Sequence, residues 1–232
     1  MVVSAMSMRE GITFFSGLVM RWFRDAFCAA EMQEAEREGI DVYALFDRKA
    51  AAVPPGSYGI LPIFSDSMKY GRWYHAAPSF LNLTIDPATS NTVSMYRSLL
   101  ENAAIVSAVN LERIVAFAGV EIDRLVFAGG ASQSPLWAQI VADVTGYEVA
   151  IPCVTEATAF GAAMAAGVGA GVYDDMVSAS EKLVSWDKTY TPDPKNKPVY
   201  DDLRSRWEAA YAAQLKLVDD GITVSMWRAP GA

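Results

Sequence analysis

An α/β fold is what this sequence predicts, and three observations carry that expectation. Residues 125–127, Leu-Val-Phe, form an apolar run of the kind that fills an interior strand, and Gly129, Gly130 and a helix start follow at once. A second strand-like run, residues 147–151, comes after that helix and ends at Pro152. A third segment, residues 156–167, reads as a helix of mostly small residues, able to pack close to a sheet or to the preceding glycine turn. Strand, helix, strand and helix in succession point to a sheet flanked by helices.

The remaining elements follow from local pattern. Residues 1–11 read as a frayed start. Phe14, Phe15, Leu18, Val19, Trp22, Phe23, Ala26 and Phe27 recur at three- and four-residue steps. They predict one helix with a broad apolar face, running on through the charged residues 31–38 to Gly39. Asp41 caps a second helix over 42–52, which Pro54-Pro55-Gly56 ends. Residues 58–64 are strand-like, with Pro62 confining them to an edge or a bulge. Residues 65–80 make an irregular, aromatic-rich loop holding Trp73, Tyr74 and the single histidine, His75. A structural role suits that histidine better than general-base chemistry. Residues 81–85 read as a strand, and 92–119 as a long helix with Met95, Leu99, Ala103 and Val106 near one face.

In the central unit either Ser132 or Ser134 caps the helix over 136–145, Pro135 suits its first turn and Gly146 closes it. A helix over 174–184 capped by Tyr173 or Asp174, a proline-containing linker over 186–197, and an amphipathic helix over 200–219 complete the chain.

With 232 residues, 52% of them hydrophobic, the chain can bury a sizeable core as one domain. A formal net charge of −8 and a pI near 4.7, with no Lys/Arg cluster, argue against nucleic acid as a partner. Cys28 and Cys153 lack metal-ligand spacing and read as buried thiols in a reducing compartment. The apolar stretch 12–28 is interrupted by Arg21, Arg24 and Asp25, so it does not suit a membrane span, and no secretory signal pattern precedes it. A cytoplasmic protein without a membrane partner is expected.

The chemistry is expected at the glycine turn. Gly129 and Gly130 permit backbone angles closed to other residues and let a ligand approach the main chain. The N–H groups at the start of the next helix favour a phosphate or another anion. On residues 128–133, Ala-Gly-Gly-Ala-Ser-Gln, and on the small-residue helix over 156–169, the chain resembles the C-terminal, adenosine-binding half of the FGGY carbohydrate kinase family. Residues 64–68, 72–83, 190–194 and 227–231 agree, in order, with one branch of that family, and the resemblance runs from about residue 10 to the C-terminus.

The resemblance implies a ribonuclease-H-like domain of the sugar-kinase, actin and Hsp70 superfamily, over residues 12–232, with its first strands outside this stretch. It implies ATP or ADP as ligand, Mg²⁺ carried with the nucleotide, and phosphoryl transfer to a hydroxyl of a small polyol-like substrate. Gly129, Gly130, Ala131 and Ser132 would line the adenosine and α-phosphate, and Gln133 and Ser134 would reach the purine or ribose. Ala131 stands where many relatives carry a third glycine, which would make a left-handed backbone costlier there. Asn82 or Thr84 stands where many carry a glycine ahead of the long helix. The helix from Glu156 either packs behind the turn or offers Glu156 and Thr158 to the nucleotide.

No Asp or Glu matches the family's catalytic-base motif. Asp219-Asp220-Gly221-Ile222-Thr223 has the wrong spacing for the first phosphate loop and reads as a helix end. The second phosphate loop is expected before Phe14. This stretch is therefore expected to bind nucleotide without transferring phosphate alone, and to need an N-terminal kinase half in cis or in trans. A non-catalytic remnant that binds nucleotide or a partner is the other reading. An unpaired sheet edge would favour self-association.

Overall fold

The computed structural model describes residues 13, 16–64 and 74–227. The frayed start expected over 1–11, Phe14, Phe15 and the first part of the aromatic loop, residues 65–73, lie outside the described residues.

The first long helix divides in two. α1 (Ser16–Phe27) and α2 (Ala29–Glu38) meet at Cys28, where the backbone leaves helical angles at φ −112° and ψ 38°. Cys28 is fully buried, with its Sγ 3.6 Å from the Phe23 carbonyl it donates to. Beyond Cys28 the charged second half continues as a separate helix. Gly39 then ends α2 in a left-handed conformation, its N–H and that of Ile40 returning to Glu36 and Ala35. Asp41 caps α3 (Val42–Ala50), accepting from the Tyr43 and Ala44 N–H groups.

β1 (Leu61–Ile63) and β2 (Ser79–Leu81) form a two-stranded antiparallel ribbon. Pro62 takes the edge position its missing N–H demands, and its carbonyl accepts from the Trp207 indole at 3.0 Å.

α4 (Thr92–Ala118) is the 27-residue axle of the molecule, capped by Asn91 and closed by Gly119. Its buried face joins two apolar clusters. One gathers Val19, Phe23, Phe46, Leu99 and Ile140, and the other gathers Ile63, Ile105, Leu203, Trp207 and Tyr211. At the junction a buried carboxylate, Glu101, accepts from Gly56 N–H (2.9 Å), Ser57 Oγ (2.8 Å), Arg97 Nε (3.0 Å) and Tyr200 OH (3.2 Å). Four donors meet the requirement of an ion removed from water. They tie α4 to the 56–57 turn and to the last helix.

β3 (Arg124–Val126), β4 (Glu148–Pro152) and β5 (Trp186–Tyr190) make a mixed sheet in the order β3-β4-β5. β3 and β4 are parallel, joined by α5 (Pro135–Thr145), while β5 runs antiparallel to β4. The interior strand expected over 125–127 is not what β3 is, whereas β4, expected only as a strand, is the buried one. Among the described residues β3 lies at the sheet edge, and Val126 is 55% exposed. β5 was expected as linker; it is short, charged and largely exposed.

α6 (Ala157–Gly169) buries only Met164. α7 (Met176–Leu183) is capped by Asp175 through a reciprocal pair with Ser178, rather than by Tyr173 or Asp174. α8 (Lys197–Asp219) begins with Pro198 in its first turn and buries Tyr200, Leu203, Trp207, Tyr211, Leu215 and Val218 along one stripe. The chain then returns to the aromatic loop: His75 N–H donates to Trp227 O (3.0 Å) and Ser225 Oγ (3.1 Å), and the His75 and Trp227 rings pack 5.2 Å apart. Burial lowers the His75 pKa to about 4, so the imidazole is neutral and structural.

Candidate functional site

The candidate site grows from the end of β3. Gly129 takes φ 90° and ψ −175°, a region that essentially only glycine occupies. Residues Gly130–Gln133 then wind into one 3-10 turn. Gly130 is exposed, has no positive φ, and would meet nothing within 4 Å of an added Cβ. Ala131 has no positive φ either, so the expected penalty of a left-handed alanine does not arise; it packs against the larger apolar cluster. The Ser132 hydroxyl donates to the Gly129 carbonyl at 2.7 Å, and the Ser132 N–H reaches the same oxygen at 3.0 Å. That hydroxyl closes the turn internally. Gln133 is exposed. Ser134, not Ser132, is the N-cap of α5, accepting from the Trp137 N–H at 3.0 Å.

All six sequence-predicted residues therefore share one turn, with different tasks. Gly129 makes the bend, and Ser132 and Ser134 hold it. Gly130 and Gln133 are the exposed members. At the start of α5 the Ser134 hydroxyl is occupied by the Trp137 N–H.

Two cavities flank the turn. One, of about 160 Å³, is apolar and lies between the sheet and α6; Val126, Ala128, Phe160, Met164, Val184 and Trp186 line it. The Arg124 guanidinium covers the Trp186 ring at 4.4 Å. The other, of about 130 Å³, is mixed in character and is lined by Ser132, Gln133, Cys153, Asp187, Lys188 and Tyr190 among others. Cys153 is exposed, against the expectation of a buried thiol. Glu156 and Thr158 are exposed at the start of α6. Asn82 adopts a left-handed φ of 61°, a conformation asparagine tolerates better than most residues, and its amide donates to the Gly59 carbonyl at 2.9 Å. Thr84 bonds Thr89 and Ser90.

Sequence reasoning missed Trp186, Asp187 and Lys188, which sit in a run without hydrophobic alternation and become a strand by pairing with β4. The turn presents an open glycine backbone beside one apolar and one mixed recess. Among the described residues no group of three or more His, Cys, Asp or Glu side chains is arranged to hold a metal. No helix there is long and apolar enough to cross a membrane.

The model of the FGGY family of carbohydrate kinases, C-terminal domain, matches residues 2–170. Autoinducer-2 kinase of Klebsiella pneumoniae is 56% identical over 230 residues, which is 99% of this chain and 43% of that protein. Autoinducer-2 kinase of Salmonella typhimurium is 57% identical over the same length and shares of each chain. The chain thus spans less than half the length of these curated relatives. Xylulose kinase from Rhodospirillum rubrum superposes with a TM-score of 0.66 at 27% identity, covering 87% of this chain and 38% of that one. Plasmodium falciparum glycerol kinase with ADP superposes at 0.61 and 16% identity, covering 84% and 37%, a likeness of fold alone.

Proposed function

The chain belongs to the FGGY family of carbohydrate kinases, and on that premise we propose that it is the ATP-binding half of an autoinducer-2 kinase. The domain would be ribonuclease-H-like, with its first strands contributed from outside this stretch. The substrate would be the linear form of autoinducer-2, 4,5-dihydroxy-2,3-pentanedione, phosphorylated on its terminal hydroxyl by the γ-phosphoryl of ATP. Such transfer depends on position and charge neutralisation rather than on covalent chemistry by the protein. The contribution of this chain is position. Gly129, Gly130, Ala131 and Ser132 would present main-chain groups to the adenosine and α-phosphate. Gln133 would reach the purine or ribose, with Ser134 fixing the turn from behind. Mg²⁺, when bound, would neutralise phosphate charge and be carried by the nucleotide itself.

One observation carries this reading. Nothing in the fold requires glycine at position 130, where the backbone is ordinary and the space in front is open. A close ligand is a reason for a missing side chain. Calorimetric titration with Mg-ADP tests it. Wild-type chain should bind, and Gly130→Val should abolish binding while leaving the thermal midpoint within about 2 °C, as for an exposed site outside the core. Equal binding by both would overturn the assignment.

A non-catalytic module that binds nucleotide or a partner is the second reading, since no Asp or Glu in this stretch matches the family's catalytic-base motif. We expect the chain alone to bind nucleotide without phosphorylating substrate. Adding the N-terminal half of a relative should restore transfer; binding with no restoration would favour the non-catalytic module.

A further inference from the structure

The chain reverses at the end of α8. Gly221 takes a left-handed φ of 70°, its N–H donates to the Val218 carbonyl at 3.1 Å, and the Ile222 N–H donates to the Leu217 carbonyl at 2.9 Å. This pair of bonds closes the helix and sends the chain back along it. Residues 223–227 then meet residues 74–76. The His75 N–H is shared between Trp227 O and Ser225 Oγ, the two rings pack together, and the Ser225 hydroxyl itself donates to Trp227 O. At the base of the returning segment the Tyr74 hydroxyl donates to the Asp219 carboxylate.

The two sides of this contact are anchored very differently. Ala76 belongs to the apolar cluster of α8, and Tyr74 packs against it. The returning segment brings little apolar anchorage of its own, with Ile222 68% and Val224 85% exposed. It is held by directional contacts to residues 74–76 and by the Trp227 ring. A segment held in that way opens at a lower free energy than a helix seated in a core. What its opening would uncover is His75, which is only 2% exposed in the closed arrangement.

We propose that residues 223–227 are a strap, closed over His75 and able to open as a unit while α4 and α8 stay folded. The strap does not depend on the nucleotide reading of the glycine turn.

His75 is the only histidine of the chain, so its imidazole gives a single titration curve by NMR. Burial lowers its pKa to about 4, and the wild-type midpoint should lie well below the ordinary 6.5. Trp227→Ala should move that midpoint toward 6.5 by at least about one pH unit. The same variant should speed hydrogen exchange of the His75 amide about tenfold, with the amides of Leu203, Trp207 and Tyr211 in α8 and of Leu99 and Leu100 in α4 keeping their wild-type rates. Trp227→Phe, which keeps a ring to pack on His75, should return both readouts toward the wild type. A wild-type midpoint at 6.5, an Ala variant identical to the wild type, equal acceleration throughout α4 and α8, or a Phe variant no better than Ala would each overturn the inference.

Discussion

At Gly129 the backbone angles exclude a side chain, whereas at Gly130 they do not, so two adjacent glycines have different causes. Gly129→Ala is expected to cost about 1 to 3 kcal/mol by forcing alanine into that region, read as a lowered urea midpoint. The nearby Gly130 substitution should leave that midpoint in place. His75 offers a pH test. Its folded pKa, near 4, lies below the ordinary 6.5, so the fold favours the neutral ring. That stability is present above pH 6.5 and is lost as pH falls toward 4, by up to about 3 kcal/mol. Thermal unfolding from pH 7 to 4 should show the loss, and His75→Gln should flatten it. Removal of the slope by the variant supports this account; an unchanged slope refutes it.

Among the elements, those with local punctuation were legible. Asp41, Gly39, Gly119 and Gly146 each end or start a helix where capping chemistry places them. The elements that were not legible depend on distant partners. The break at Cys28, a buried residue, has no local punctuation in the sequence, and β5 is a strand because β4 offers it an edge. The turn was legible as a motif, yet the division of labour within it was not, since Ser132 and Ser134 are equally good caps until the backbone path is known. The link after β5 shows how such partners hold. Asp143 of α5 accepts from Gln139 (2.7 Å), from the Asp193 N–H (2.8 Å) and from Asn196 (2.8 Å). Asp143→Ala should cost about 1 to 2 kcal/mol in urea unfolding, because it removes the acceptor that these half-exposed donors share. A change under about 0.5 kcal/mol would show that the latch carries no net stability.

For the whole molecule the salient feature is incomplete cover. β3 presents an outer edge without a strand partner among the described residues, with Val126 exposed on it. α1 leaves Leu18, Trp22 and Phe27 between 43% and 56% exposed, and Phe117 near the end of α4 is 75% exposed. Strand edges and apolar patches of this kind promote association. Light scattering of the chain at micromolar concentration should give a mass above 25.2 kDa, and Val126→Lys should lower it. A sharp monomer peak for the wild type would contradict this.

The two cysteines differ in a way a chemist can use. Cys28 is sealed in the core and its pKa is pushed up to about 12, whereas Cys153 is open to solvent on the rim of the recess that Ser132 and Gln133 share. Thiolate, not thiol, reacts with a maleimide. A single fluorophore would therefore attach to the native chain at Cys153 without any mutation, and a second only after denaturation. The protein thus offers a native labelling position beside the glycine turn.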